Sequence, residues 1–258
     1  MARKLKIGGQ LAIEVTQRCN LSCDHCLRGC ARNVNVTKEI INKVLDNFEY
    51  ISSITFTGGE PTLNVEAIIY IIDEIKRRGI GVGNFYLVTN CVNFSGELVL
   101  KLLEFYVYCD DKEMCGLCVS VDGFHDQRDF NAYDMYSALE FFRTDKEHNG
   151  IWDGGIINRG NAKEYGMGTF DKPVMQFNPE YAEIFDNVIN YDELIYVNAE
   201  GYVFYDCDLS YELQDENRTI NVMEESIAEW MFMQMYEHQL LEEESAAEIL
   251  EELGLIPA

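Results

Sequence analysis

Four short apolar, β-branched runs recur along the first half of the chain: Leu11 to Val15, Ile54 to Thr57, Phe85 to Thr89 and Leu117 to Val121. Each has the length of a strand, and between them the apolar spacing changes to that of a helix face. Thr37 is placed to cap a helix with Ile40, Ile41, Val44, Leu45 and Phe48 on one side. Asn64 is placed to cap the next, which carries Val65, Ile68, Ile69, Ile72 and Ile75. That helix closes on Lys76-Arg77-Arg78 before Gly79, a basic last turn followed by a stop. Ser95 opens a third, with Leu98, Val99, Leu102 and Leu103, and a weaker helical pattern runs from Asn131 to Arg143.

Strand–helix alternation at roughly 30 residues per unit predicts βαβ crossovers and a parallel sheet. A fifth strand is expected at Gly155 to Asn158. Leu194 to Val197 and Tyr202 to Tyr205, either side of Asn198-Ala199-Glu200-Gly201, predict a hairpin. Five or six units fall short of a closed eight-unit barrel, which takes about 250 residues. The expected fold class is therefore α/β: a partial (βα)6-type barrel with parallel strands over residues 1–190, then a small C-terminal hairpin and acidic helical tail over 191–258. From Val222 to Ala258 there are ten Glu and no Lys or Arg. With Ile227, Trp230, Met231, Met233 and Met235 on apolar faces, the tail reads as packing helices with a solvated side, or as a partner-binding helix.

Charge narrows the function classes. The 258 residues carry 45 acidic and 20 basic side chains, a formal net charge of −25. Phosphate neutralisation needs clustered Lys and Arg, so non-specific nucleic-acid binding is not expected. Docking on an anionic membrane is not expected either, and no apolar run approaches the roughly 20 residues of a membrane span. The start, Met1-Ala2-Arg3-Lys4-Leu5-Lys6, has no signal-peptide stretch, so the expected location is cytoplasmic. In that reducing compartment nine cysteines are read as ligands, catalytic groups or core fillers rather than disulfides.

The segment Cys19-Asn20-Leu21-Ser22-Cys23-Asp24-His25-Cys26 follows the first strand. In a parallel barrel that loop opens on the face where such folds place their chemistry. Three thiolates spaced C-x3-C-x2-C suit a soft metal centre, zinc or an iron–sulfur cluster. Three ligands leave one position of a cubane open, as catalytic metal sites do. A zinc knuckle with Cys30 or His25 as fourth ligand, or unrelated core cysteines, would read the same by spacing. Gly58 and Gly59, after the second strand, let a ligand approach the backbone. Glu60 offers a carboxylate to an ammonium group. Thr89 and Asn90 end the third strand, and Ser120 and Asp122 the fourth. Such small polar groups can bind hydroxyls or a carboxylate, or simply cap turns. Arg159 could clamp a carboxylate.

Taken together, the cysteine loop, Thr57-Gly58-Gly59-Glu60-Pro61, Thr89-Asn90 and Ser120-Val121-Asp122-Gly123 resemble the radical S-adenosylmethionine (SAM) superfamily over about the first 160 residues. The resemblance implies a [4Fe-4S] cluster on Cys19, Cys23 and Cys26, with His25 at a position usually aromatic. SAM would chelate the open iron, and Gly58, Gly59, Glu60, Thr89, Asn90, Ser120, Asp122 and Arg159 would help to hold it. It further implies a one-electron donor such as flavodoxin or ferredoxin, and a 5′-deoxyadenosyl radical that takes a hydrogen atom from a substrate, expected to be a peptide or protein, with a nucleotide or other small-molecule metabolite as the alternative. A glycyl-radical activating enzyme and a non-catalytic iron–sulfur or zinc module are the other readings. A C-terminal domain for auxiliary clusters is not expected, because Cys207 is the one cysteine of the C-terminal half. Its thiol could return a hydrogen atom to a substrate radical, as in radical peptide epimerases. Cys109, Cys115 and Cys118 are read as core, with a second metal as the sharper alternative.

Overall fold

The computed structural model describes residues 3–121, 124–125, 129–144 and 155–252, with side chains as far as residue 240. The elements run β1 (Lys4–Thr16), α1 (Lys38–Leu45), β2 (Phe48–Gly58), α2 (Val65–Arg78), β3 (Gly81–Thr89), α3 (Gly96–Tyr108), β4 (Gly116–Val119), α4 (Phe130–Ser137) and β5 (Phe142–Thr144). After these come α5 (Gly160–Glu164), β6 (Ala182–Phe185), β7 (Val188–Tyr191), β8 (Leu194–Val197), β9 (Tyr202–Phe204), α6 (Tyr211–Glu216), β10 (Ile220–Asn221) and α7 (Ile227–Glu252).

Strands β1 to β5 pair in sequence order, all parallel, as the βαβ pattern requires. The result is the α/β partial barrel expected. Alternate residues divide the two faces of the sheet. Leu11, Ile13, Val15, Ile54, Phe56, Phe85, Leu87, Leu117 and Val119 join the buried cluster with Ile41, Ile68, Ile72, Leu98, Leu102 and Phe105 of α1 to α3. Thr37 and Ser95 cap α1 and α3 by accepting from the Ile40 and Leu98 amides. Cys109, Cys115 and Cys118 are core residues, each at most 3% exposed.

Several boundaries differ from expectation. The fifth strand is Phe142–Thr144, not Gly155 to Asn158, where Ile157 makes only an isolated bridge to Phe170. The helix expected as far as Arg143 stops at Ser137, and the chain turns into that strand. Asn64 does not cap α2; its amide donates to the Val15 carbonyl, and Glu60 caps the short 3-10 turn Pro61–Asn64 instead. Strand β1 begins seven residues earlier than the run from Leu11. Its first half pairs in parallel with β7 and its second half with β8. Gly8 and Gly9 lie at the changeover, where a Cβ on Gly9 would come within 2.3 Å of the Glu193 carbonyl oxygen. The two glycines that interrupt the apolar pattern are what admits the bend at 192–193.

The expected hairpin is present as β8 and β9, antiparallel, and β8 extends the main sheet beside β1. The tail folds as α7, with Ile227, Ala228 and Met231 buried and Trp230 stacked on Tyr205. No helix among the described residues is long and apolar enough to cross a membrane.

Candidate metal and cofactor site

The cysteine loop leaves the end of β1 and is pinned to three elements. The Gly59 amide donates to the Thr16 carbonyl at 2.9 Å and the Glu60 amide to the Arg18 carbonyl at 2.8 Å, fastening the loop's root to the end of β2. This close approach explains the glycine pair. Gly58 has φ +153°, and a Cβ there would stand 2.2 Å from the Thr16 oxygen; one on Gly59 would stand 2.4 Å from that of Arg18. The backbone that the glycines admit is the chain's own, where the sequence suggested a ligand.

Glu60 ties the strand ends together. Its carboxylate is 2% exposed. It accepts from the Thr62 amide and hydroxyl, the Thr89 hydroxyl at 2.8 Å and the Asn90 amide at 2.8 Å. Burial pushes its pKa up, and those four donors pull it back. Asn90 continues the line, because its Nδ2 donates to Asn20 Oδ1 inside the cysteine loop at 2.8 Å. The third anchor is α5: Asn161 donates through its amide to the Cys26 carbonyl and through Nδ2 to that of Cys23.

Cys19, Cys23 and Cys26 are all partly exposed along this loop, and Cys30 is exposed. Burial pushes the Cys19 thiol up, with Glu60 and Cys26 adding to the shift. The Cys23 sulfur lies 3.9 Å from His125 Nε2. His25 stacks on Phe124, ring centroids 4.1 Å apart, and so serves as a flat packing surface at the position where an aromatic was expected. Among the described residues no three His, Cys, Asp or Glu close around one point as a mononuclear zinc site requires. A cubane asks for less convergence, since each thiolate binds a different iron. Soft donors on one anchored loop fit it. Beside them Gln17, fully buried, has neither amide nitrogen nor amide oxygen paired among the described residues, a polar group suited to a polar ligand at the loop.

The other expected site residues fall in different places. Thr89, Asn90 and Ser120 stand together, with the Ser120 amide on the Thr89 carbonyl at 3.0 Å. Asp122 lies outside the described residues. Arg159 is 5% exposed, and its guanidinium is already engaged by Asp206 at 3.2 Å and by the carbonyls of Asp208 and Lys172. Although burial opposes it, Asp206 is held below the usual carboxylate range by the Asp208 amide, Lys172 and Arg159. Cys207 sits half-buried next to this ion-pair group and packs against Ala12, Tyr196, Phe204 and Leu209. Burial, then the Asp208 charge, raises its thiol to about 11, so the thiol keeps its proton at neutral pH.

Sequence reasoning missed Glu14 and Arg28. Glu14, 0% exposed in β1, accepts from Tyr196 Oη, the Ala199 amide and Gln214 Nε2. Arg28, two residues past Cys26, donates to the Leu209 carbonyl and lies 5.0 Å from the Tyr196 ring centroid. Together they bind the far side of the cysteine loop to β8 and α6. A carboxylate in an otherwise apolar strand was the available signal.

Comparison with known proteins agrees with this geometry. A family model described as a 4Fe-4S single cluster domain matches residues 8–135. An uncharacterised protein of Methanocaldococcus jannaschii is 36% identical over 98 residues, 36% of this chain and 34% of that protein. YydG of Bacillus subtilis, assigned by name to peptide biosynthesis, is 28% identical over 120 residues, 45% of this chain and 36% of YydG. The chain thus spans about a third of the length of these curated relatives. The solved structure of anSMEcpe, with AdoMet and a Cp18Cys peptide bound, superposes with a TM-score of 0.50 at 15% identity, covering 89% of this chain and 80% of that one. The chain shares the fold of that structure, and the matching cluster domain takes in the three-cysteine loop at the end of β1.

Proposed function

We propose that this protein is an enzyme that modifies a peptide by removing a hydrogen atom from it, with a [4Fe-4S] cluster on Cys19, Cys23 and Cys26 and S-adenosylmethionine as its cofactors. The observation that carries the reading is the anchoring of a three-thiol loop to the ends of β2 and β3 through Glu60, Asn90 and Asn20. When bound, the pair supplies reductive cleavage of S-adenosylmethionine to methionine and a 5′-deoxyadenosyl radical. The electron comes from a flavodoxin- or ferredoxin-type donor. The chain's part is to hold three thiolates on a loop that cannot swing away, and to order Thr89, Asn90 and Ser120 beside it. The name of YydG supports a peptide as the class of substrate.

Cys207 is the hydrogen donor in this reading. Its S–H bond breaks as a C–H bond forms on the substrate carbon radical. The thiyl radical left behind takes one electron from the same class of donor and one proton from solvent. Its protonated state and its position against Ala12 and Tyr196, on the inner side of β1 and β8, support the role.

The test uses anaerobically reconstituted protein, a reductant, S-adenosylmethionine and candidate peptides deuterated at carbon. Deuterium is expected in 5′-deoxyadenosine, and in D2O one solvent deuterium in the product that Cys207→Ala no longer installs. Absence of transfer from every peptide, with transfer from a small metabolite instead, overturns the peptide reading. Unchanged product from Cys207→Ala overturns the donor role.

A further inference from the structure

All-parallel sheets are ordinarily apolar on both faces. Here only the outer face is. On β2, Ile54 and Phe56 alternate with Ser53, Thr55 and Thr57; on β3, Phe85 and Leu87 alternate with Asn84, Tyr86 and Val88. Register sets these inner residues in rows: Gln10–Ser53–Asn84, then Ala12–Thr55–Tyr86–Gly116, then Glu14–Thr57 and Val88–Cys118. The β1 side of this face is closed by Tyr196, Phe204 and Leu209. The β2–β3 side is not: Ser53, Thr57, Asn84 and Tyr86 are half-exposed, and Val88, a β-branched side chain in a central strand, is 39% exposed.

We propose that Ser53, Thr57, Asn84, Tyr86 and Val88 form the substrate seat and select an uncharged, extended segment of peptide; this rests on the peptide reading above. Ser53 donates to Asn84 Oδ1 at 2.8 Å, which leaves Asn84 Nδ2 as the remaining donor. Gln10 Nε2 donates to Thr55 Oγ1 at 2.6 Å, which leaves Gln10 Oε1 as the remaining acceptor. Asn84 Nδ2, in the lowest row, is a fixed donor for a C=O of a peptide main chain running along β2 and β3, and Gln10 Oε1, two strands away in the same row, is a fixed acceptor for a side-chain amide or hydroxyl of that peptide. Tyr86 leans over Gly116, where a Cβ would meet its ring at 2.6 Å, so the glycine makes room for the ring.

Charge in these rows is already engaged. The Glu14 carboxylate is held by Tyr196, Ala199 and Gln214. Arg143, paired with Cys118 in the register, donates to the carbonyls of Glu113, Glu140 and Phe142. Among the described residues the seat therefore offers no cation to a phosphate or carboxylate and no free anion to a lysine. Rows repeat every second residue, about 6.6 Å, so three rows span about 13 Å, the reach of about four extended residues. The upper row lies just below the strand ends that anchor the cysteine loop. A reacting residue there would have its neighbours descending along β2 and β3.

The experiment presents anaerobically reconstituted full-length protein to an array of heptapeptides. One set holds only Ser, Thr, Asn, Gln, Gly and Ala; matched sets carry Lys, Glu or phosphoserine at single positions. Retention of the uncharged set is expected, at least tenfold over the matched charged sets. Asn84→Leu is expected to lower it at least tenfold, at unchanged melting temperature and cluster absorbance. Thr57→Lys is expected to move the preference toward the Glu-containing set, a gain that misfolding cannot imitate. Equal retention of charged peptides, no retention of any, or variants that bind like the parent overturn the assignment. Formation of 5′-deoxyadenosine without peptide, measured in parallel, separates the two readings. If it is present while the array fails, only the seat is wrong; if it is absent, the enzymatic reading has failed.

Discussion

The two faces of the central sheet are built from the same strands and follow opposite rules. The outer face is a continuous apolar surface sealed by α1 to α3, where Phe56 and Phe85 pack against Phe105 with centroids 6.3 and 5.5 Å apart. The inner face carries hydroxyls and amides, and over β2 and β3 it stays half-open. The comparison teaches where stability and chemistry reside. Apolar burial is concentrated on one side, which frees the other to hold polar groups.

Substitutions sharpen this contrast. Phe56→Ala on the outer face removes a fully buried ring and should cost about 3–5 kcal/mol in denaturant unfolding. Its neighbour on the opposite face, Thr57→Val, should stay within about 0.5 kcal/mol of the parent. Equal losses at the two positions would break the comparison. Glu60→Gln places an amide donor where the carboxylate accepts from four groups, and should cost about 1–3 kcal/mol. It should also loosen the cysteine loop, read as faster amide exchange at Asn90; parent-like exchange would remove Glu60 as the brace.

Cys207 tests the inner face by titration. Because its folded pKa is raised to about 11, alkylation by iodoacetamide should be slow at neutral pH and climb only as pH approaches that value. Rapid labelling at pH 7 would contradict the burial described. The smallest effect belongs to the outer helices. Glu74 and Glu104 are lowered from 4.5 to about 2, by Arg77 and Arg78 and by Lys101 and Lys76 respectively. A depressed carboxylate stabilises the fold above its unfolded pKa and loses that contribution as pH falls through its folded value. A slight loss of melting temperature between pH 4.5 and 2 should vanish in Glu104→Gln for its share.

The outer face was readable from pattern, because apolar alternation and helix periodicity report burial directly. Thr37 and Ser95 were legible as caps for the same local reason. The fifth strand was not: Phe142–Thr144 has three residues, too few for a period, and pairing with β4 decides it. Nor was the first half of β1, where Gly8-Gly9 hides a strand that must pass close to residues 192–193. At the site, the cysteine loop announced itself by spacing. The actual partners of Arg159 and Glu60 did not, since a side chain's type gives its valence but not which neighbour the fold supplies. The buried carboxylate of Glu14 became intelligible only once β8 was seen beside β1.

A [4Fe-4S] cluster is proposed on the three thiols Cys19, Cys23 and Cys26. Anaerobic reconstitution of the parent chain and of the Cys19→Ala, Cys23→Ala and Cys26→Ala variant, followed by Mössbauer spectroscopy with and without S-adenosylmethionine, tests it most directly. The parent should show four irons per chain, one of which changes its signal when S-adenosylmethionine is added, and the variant should hold none. Four irons retained without these cysteines, or a lone zinc ion bound by the parent in their place, would contradict the account.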